Sequence, residues 1–414
     1  MNCAQVNQVR RILFLQDHLE TGGAARAAGR FRRRLLEMGI EVGVAAGDGA
    51  SGAAHFRVTG KPARGVARIW ELLSNSSARI GNRQKKARIA LESVLETFQP
   101  DLVWIHNVHG GFKWGWSEDL IRLSLARHQV LWTLHDMWAL GNGPSYFSPR
   151  ELKERHQTSC LHRLWQDLEG SQSLLLTPSI WLRDLVRAAG CYRCEAWINP
   201  LDTNTFSPGP RNRIRRELGL RDGEVLLLAA AENLADPRKG ITLLEQAWND
   251  VRRKSHLRLG LIGRNGPEAL KKDRQAILFG EVASESRMAE LMAAADLFLH
   301  PAEMESYGLV LEEAQACGTP VLAFRGCGVD ELLGDTPNGW LLPERSTLAL
   351  SEKLAELAQN TGILTSMREP ARESMVRKHG GNSFAQQWRQ VNEWLKSSAD
   401  PFSGRVKAAR GARN

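Results

Sequence analysis

The stretch Leu297-Phe-Leu-His-Pro-Ala-Glu303-Met-Glu305-Ser-Tyr-Gly-Leu-Val-Leu-Glu-Glu313-Ala-Gln-Ala-Cys317-Gly-Thr-Pro320-Val-Leu-Ala-Phe324 sets two short apolar runs around a segment long enough for a helix. Uninterrupted apolar runs bounded by Pro, Gly and Asp read as buried parallel strands, and parallel strands need a crossover between them. We therefore expect a strand at Leu297 to Leu299, a loop carrying Glu305, a helix starting near Tyr307 and a second strand at Pro320 to Phe324. Glu305 and Glu313 are separated by seven residues, a spacing that lets a loop carboxylate and a helix carboxylate reach one ligand. The N–H groups of Ser306 to Leu309 fall at the helix start, where an anionic group such as a diphosphate is favoured. A carboxylate accepting from two vicinal hydroxyls suits a ribose, and Glu313 is the candidate for that role.

The same alternation extends in both directions. Before the quoted unit come Val225 to Ala229, Leu257 to Ile262 and Ile277 to Phe279, and after it Trp340 to Leu342, with helices expected at Ile241 to Arg253 and Glu285 to Ala294. An earlier set comprises Arg11 to Gln16, Val42 to Ala46, Leu102 to Ile105, Val130 to Leu134, Leu174 to Thr177 and Ala196 to Ile198. The two sets meet at Asn199-Pro-Leu-Asp-Thr-Asn-Thr-Phe-Ser-Pro-Gly-Pro210, which is rich in turn residues and lacks periodicity. After Trp340 the pattern is mostly helical, ending with Phe384, Trp388, Val391 and Leu395 at helical spacing. The expected class is α/β: two doubly wound domains in tandem, with ligands in a cleft at the carboxyl ends of both sheets. The domains would be 1–200 and 201–380, followed by a helix at 381–398 and a basic, flexible tail at 399–414.

Composition narrows the class. The 414 residues are 43% hydrophobic and 24% charged, as in a globular protein rather than a disordered one. No apolar run approaches the roughly 18 residues that span a bilayer, and Met1 to Arg11 lacks the apolar core of a secretory signal. A cytoplasmic location is the expectation. Six cysteines in so long a chain read as reduced thiols, and Cys191-Tyr-Arg-Cys194 alone does not make a zinc site, so no metal is expected. There are 13 Trp against 3 Tyr, and nothing in the pattern accounts for that bias.

The net charge of +9 concentrates in three places: the tail, with Arg405, Lys407, Arg410 and Arg413; the cluster Arg26 to Arg34; and the stretch Lys61 to Arg88. These read either as solvated helix faces or as a patch for an anionic partner. Single-stranded nucleic acid would want aromatics interleaved with the cations, and the long stretch offers only Trp70. No nucleic-acid partner is expected. An anionic membrane surface, with the protein peripheral at the inner face, or an anionic acceptor fits better.

Three further motifs fall at expected strand ends. Thr21-Gly22-Gly23-Ala-Ala-Arg-Ala-Ala28 opens a helix with two glycines, though without the dinucleotide spacing G-x-G-x-x-G. Trp132-Thr-Leu-His135-Asp136 places a histidine at a carboxyl edge. Asp236-Pro-Arg238-Lys239-Gly240 places two cations before a helix, a cradle for a phosphate.

Glu305-Ser-Tyr-Gly-Leu-Val-Leu-Glu-Glu313-Ala with Cys317-Gly-Thr-Pro-Val321 resembles the glutamate-x7-glutamate motif of the family-4 retaining glycosyltransferases, which have the GT-B fold. Gly22-Gly23, Thr133-Leu-His-Asp136, Asn199-Pro-Leu-Asp202, Lys239-Gly240, Gly263, Gly280-Glu-Val282 and Ala295-Asp296 follow in the family's order, so the resemblance covers about residues 10 to 345. His106-Asn-Val-His-Gly-Gly111 and His135-Asp-Met-Trp138 resemble its colanic-acid-type exopolysaccharide branch.

The resemblance implies metal-independent transfer from a nucleoside diphosphate sugar to a glycan or lipid-linked acceptor, as in bacterial surface polysaccharide biosynthesis, without a cofactor. It also implies a last helix returning to the N-terminal domain. By the same resemblance Gly22 and Gly23 would approach the diphosphate, Lys239 would neutralise it and Glu313 would hold the ribose. Glu305 with Ser306, Tyr307, Gly308 and Leu309 would orient the donor, His135 would meet the sugar and Val282 the base, with Gly263 nearby. The family pairs its Lys with an Arg six residues earlier, where this chain has Asn233, and Arg238 is the candidate substitute. That departure keeps a second reading open: a catalytically silent GT-B subunit of a glycan-assembly complex.

Overall fold

The computed structural model describes residues 9–19, 22–47, 55–58, 76–108, 116–141, 145–146, 151, 160–171, 173–253, 256–333 and 338–396. The chain divides into two compact units, Met1–Pro200 with Phe384–Asn414, and Leu201–Ser383.

The first unit is built on seven strands: β1 (Arg11–Gln16), β2 (Glu41–Ala46), β3 (His55–Arg57), β4 (Leu102–Ile105), β5 (Gln129–Thr133), β6 (Leu174–Thr177) and β7 (Cys194–Ala196). They pair in the order β3-β2-β1-β4-β5-β6-β7, every pair parallel. The second unit carries β8 (Val225–Asn233), β9 (Leu257–Arg264), β10 (Ala276–Gly280), β11 (Leu297–His300), β12 (Val321–Phe324) and β13 (Gly339–Leu342). Their order, β10-β9-β8-β11-β12-β13, repeats the first, again parallel throughout. Strands such as Leu102–Ile105, Leu174–Thr177 and Leu297–His300 are buried along their whole length and read as near-continuous apolar runs because both of their faces are covered.

Helices form where one apolar face recurs. Gly23–Glu37 buries Ala25, Ala28, Phe31 and Leu35, while Leu36, near the helix end, is exposed. Glu118–Arg127 starts on Ser117, whose side chain accepts from the Asp119 N–H, with Glu118 and Asp119 in the first turn, where the helix dipole favours negative charge.

The expected strands are found with ends shifted by a few residues, and two edges differ. β7 lies two residues before the expected Ala196 to Ile198, and β3 was not read at all. Both are three-residue edge strands, too short to show a period. The final helix runs Ser383–Lys396 and belongs to the first unit, where Phe384, Trp388, Val391 and Leu395 join the core around Phe31 and Trp104. Part of the tryptophan excess resides there: Trp104 stacks on Trp197 (centroids 5.3 Å apart, 23°) and on Trp388 (6.1 Å, 13°). Cys160, Cys191, Cys194, Cys317 and Cys327 are buried free thiols, and Cys3 lies outside the described residues. So do Thr21, residues 61–75 of the basic stretch, His109 to Gly111, and the tail from 397.

Trp388→Ala should cost about 3–5 kcal/mol, the usual loss for truncating a buried aromatic. Leu36→Ala, at 45% exposure, should cost less than about 0.5 kcal/mol. Denaturant unfolding of the two variants checks whether the last helix is part of the first unit's core.

Candidate functional site

β8 and β11 are neighbours, yet β9 and β10 lie to one side of them and β12 and β13 to the other. The loops leaving such a pair diverge, and the crevice between them is where open α/β sheets bind ligands. After β8 the chain turns at Asp236, whose carboxylate accepts from the Arg238 N–H at 3.0 Å, and makes one short turn, Pro237–Lys239. Gly240 follows in the left-handed region at φ 69°. A Cβ there would lie 2.0 Å from the Pro301 carbonyl oxygen, so only glycine lets this turn press against the loop after β11. The Glu303 N–H then donates to the Arg238 carbonyl at 2.8 Å.

These contacts place Lys239 Nζ on Glu305 Oε1 as a largely buried ion pair. Burial opposes the Glu305 charge, but Lys239 first and then His300 outweigh it and hold the carboxyl below its usual range. His300, the last residue of β11, is buried with Nε2 3.9 Å from Glu305 Oε1. Burial lowers its pKa to about 4, with Glu305 opposing and Lys239 assisting. At neutral pH the loop pair thus presents a cation, an anion and an uncharged imidazole.

The Arg238 side chain folds back onto Asp236, Nη2 to Oδ2 2.6 Å, and is 43% exposed. Asn233 ends β8, and its Oδ1 accepts from Asn265 Nδ2 at 2.9 Å and from the Ala235 N–H at 3.2 Å. Its register partner on β9 is Arg264, a cation the sequence reading passed over, which pairs with Glu232 at 2.7 Å. Gly263 has a reason internal to the sheet: a Cβ there would lie 1.9 Å from the Ala231 carbonyl oxygen. Val282 sits half-buried just after β10.

The helix after Glu305 runs Leu309–Ala316, with Gly308 as its N-cap, two residues later than expected. Ser306 and Tyr307 therefore lie in the turn and not in the helix, and both are buried. The Tyr307 hydroxyl donates to Glu312 Oε1, which also receives Lys378 Nζ at 3.0 Å and His379 Nε2 at 2.9 Å. Burial alone would raise the Glu312 pKa, but His379 and Lys378 bring it down to about 2. Sequence reasoning missed this cluster, whose members, from Tyr307 to His379, are distant in sequence. Glu313, the next residue, is fully buried on the same helix.

In the first unit Gly22 caps the Gly23–Glu37 helix at φ 94°. A Cβ on Gly23 would meet nothing within 4 Å among the described residues, which leaves a face open to close approach. His135 follows β5, and its Nε2 lies 3.2 Å from Nδ1 of His106, which follows β4. A cavity lined by Asn107, Trp132, Asp136 and Trp138 includes both histidines.

Residues 21–205 match the family model described as Glycosyltransferase Family 4, and residues 210–374 match Glycosyl transferases group 1. The chain belongs to these glycosyltransferases. It is similar to N-acetyl-alpha-D-glucosaminyl L-malate synthase of Bacillus anthracis, 27% identical over 47% of this chain and 51% of that one. It is also similar to D-inositol 3-phosphate glycosyltransferase of Xylanimonas cellulosilytica, at 30% over 51% and 54%. The chain spans about half the length of the curated relatives it matches.

The GT-B fold of this glycosyltransferase chain is shared with sucrose-phosphate synthase from Thermosynechococcus elongatus, with a TM-score of 0.74, 18% identity and coverage of 94% of this chain and 100% of that one. No helix among the described residues is long and apolar enough to cross a membrane.

His300 gives the site a measurable pH signature. Its folded pKa near 4 lies below the ordinary 6.5, so its stabilising contribution is full above pH 6.5 and is lost as pH falls toward 4. The whole loss would be about 3 kcal/mol. Between pH 6.5 and 4.5, above the range where Glu305 titrates, the wild type should lose thermal stability and His300→Gln should lose clearly less. Melting curves of the two proteins across that window supply the comparison.

Proposed function

We propose that this protein transfers a sugar, with retention of configuration, from a nucleoside diphosphate sugar to a hydroxyl of a glycan or lipid-linked acceptor. The observation that carries the reading is the Lys239–Glu305 pair at the β8/β11 switch point, one helix away from the buried Glu313. Lys239 is a point charge at the position a departing diphosphate would occupy, and Glu305 holds it there until the donor arrives. Glu305 and the turn at Ser306, Tyr307, Gly308 and Leu309 orient the donor sugar and phosphates, Glu313 clamps the ribose and Val282 borders the base. Gly22 and Gly23 let backbone approach the diphosphate, and His135 meets the sugar. No metal is called on: Lys239 supplies the positive charge, and Arg238, held by Asp236, is the candidate second cation.

A uridine donor is one chemistry the fold accommodates: an Anabaena HepE structure that resembles this chain at TM-score 0.68 and 19% identity, covering 92% of this chain and 99% of that one, was solved in complex with UDP-glucose. The place in biology we propose is bacterial surface polysaccharide synthesis of the colanic-acid type, on the strength of the His106 and His135 motifs. The first unit would serve the acceptor and the second the donor.

Lys239→Ala should lower kcat/KM for the donor by at least about 100-fold, since it removes charge from the leaving group. Glu313→Ala should instead weaken nucleoside diphosphate binding and raise donor KM, because a ribose clamp acts in ground and transition states alike. Steady-state kinetics with calorimetry check both, and unchanged diphosphate affinity in Glu313→Ala would remove the ribose assignment. Asn233, held by Asn265 where the family carries a cation, favours the silent-subunit alternative. Donor hydrolysis without acceptor separates the two readings, because a silent subunit shows none.

We also propose that the first unit docks on an anionic membrane. On the Ser76–Phe98 helix Lys85, Lys86 and Arg88 are exposed beside Ile89, itself 55% exposed, which suits an interfacial face. Co-sedimentation with anionic vesicles at low salt should be lost in high salt and on replacing Lys85, Lys86 and Arg88 by Gln. Equal pelleting with neutral vesicles would contradict the claim.

A further inference from the structure

His106 is locked into the aromatic core of the first unit beside a candidate catalytic group. It is 2% exposed, and its ring lies 4.6 Å from Phe14 and stacks on Trp104 at 5.1 Å and 20°. Its Nδ1 is 3.2 Å from Nε2 of His135, and the two rings lie edge to edge, with centroids 5.4 Å apart and 22° between their planes. Its Nε2 is buried and meets no hydrogen-bond partner among the described residues. Burial, and then the neighbouring His135, push the His106 pKa well below its ordinary value, so the ring is neutral and carries a single N–H.

That proton has two places to go. On Nε2 it would be a buried donor with no acceptor among the described residues, pointing in the plane of its own ring and therefore away from the face of Trp104, and His135 lies on the Nδ1 side. On Nδ1 it has an acceptor at hydrogen-bond distance, and the idle group is then only a lone pair. Orphaned buried donors are rarer than idle acceptors.

We infer that His106 is a positioning residue: its Nδ1–H donates to Nε2 of His135, which fixes neutral His135 as the Nδ1–H tautomer and sets its ring orientation. In water an isolated imidazole side chain prefers the other tautomer, so the pair reverses the intrinsic preference. His135 then turns an Nδ1–H donor, not an acceptor, toward its other neighbours. For transfer chemistry this means that His135 donates a hydrogen bond to a sugar oxygen and does not act as a base through Nδ1. This consequence rests on the proposed function, whereas the tautomer assignment rests only on the geometry.

The test is long-range proton–nitrogen NMR on the uniformly nitrogen-15-labelled full chain at neutral pH, with His135 identified by loss of its signals in His135→Gln. The expected result is a pyrrole-type Nδ1 and a pyridine-type Nε2 for His135. In His106→Phe the pattern should shift toward Nε2–H. In His106→Asn, whose Nδ2 sits where the imidazole Nδ1 was and still donates, the wild-type pattern should return. An Nε2–H tautomer for His135 in the wild type overturns the assignment, and that readout stands even if His106→Phe fails to fold. With an active donor, His106→Phe should lower kcat about tenfold while donor KM stays within about twofold, with His106→Asn recovering most of the rate. Wild-type kcat in His106→Phe overturns the positioning role. No turnover by any of the proteins, with the expected tautomer present, contradicts the proposed function and leaves the tautomer assignment standing.

Discussion

The ion pair between Lys239 and Glu305 is the constraint around which the second unit is organised. A cation and a carboxylate are taken mostly out of water, which is costly unless each offsets the other and the geometry is held from outside. The fold holds it from both sides. Strand order sends the two loops apart at β8 and β11, Gly240 lets one turn touch the carbonyl of Pro301, and a backbone bond from Glu303 to Arg238 fastens the loops together. His300 stays uncharged beneath them, so the local balance is one positive and one negative charge, ready to be disturbed by an incoming anion.

The first unit repeats the strand order and carries a different group of side chains one strand along. At the ends of β4 and β5 stand two histidines, edge to edge, beside Phe14 and Trp104, and the final helix closes that aromatic core with Trp388. Under the proposed function, the charged pair of the second unit would handle a diphosphate and the imidazoles of the first unit sugar hydroxyls.

Much of this was legible in the chain. Buried parallel strands such as Leu102–Ile105 and Leu297–His300 announce themselves as uninterrupted apolar runs, and the turn-rich Asn199 to Pro210 marks the change from one sheet to the next. Lys239, Glu305 and Glu313 could be found because each follows a strand or lies one helix beyond it. The short strand β3 could not, and β7 was displaced by two residues, since three residues carry no period. The later helix start was hidden because Gly308 reads equally as a first-turn residue or a left-handed cap, and φ 96° makes it the cap. The Glu312 cluster with Tyr307, Lys378 and His379, and the closeness of His300 to Glu305, are products of tertiary packing with no local signature. The same holds for the engagement of Asn233 by Asn265, which only the β8–β9 register brings about.

The most direct measurement is hydrogen–deuterium exchange on the full chain with and without a panel of nucleoside diphosphates. The account predicts that at least one of them slows exchange together at 237–241 and 305–313, the two loops of the β8/β11 switch point and the helix that follows. Binding that leaves both segments unprotected, or no protection there by any member of the panel, would contradict it.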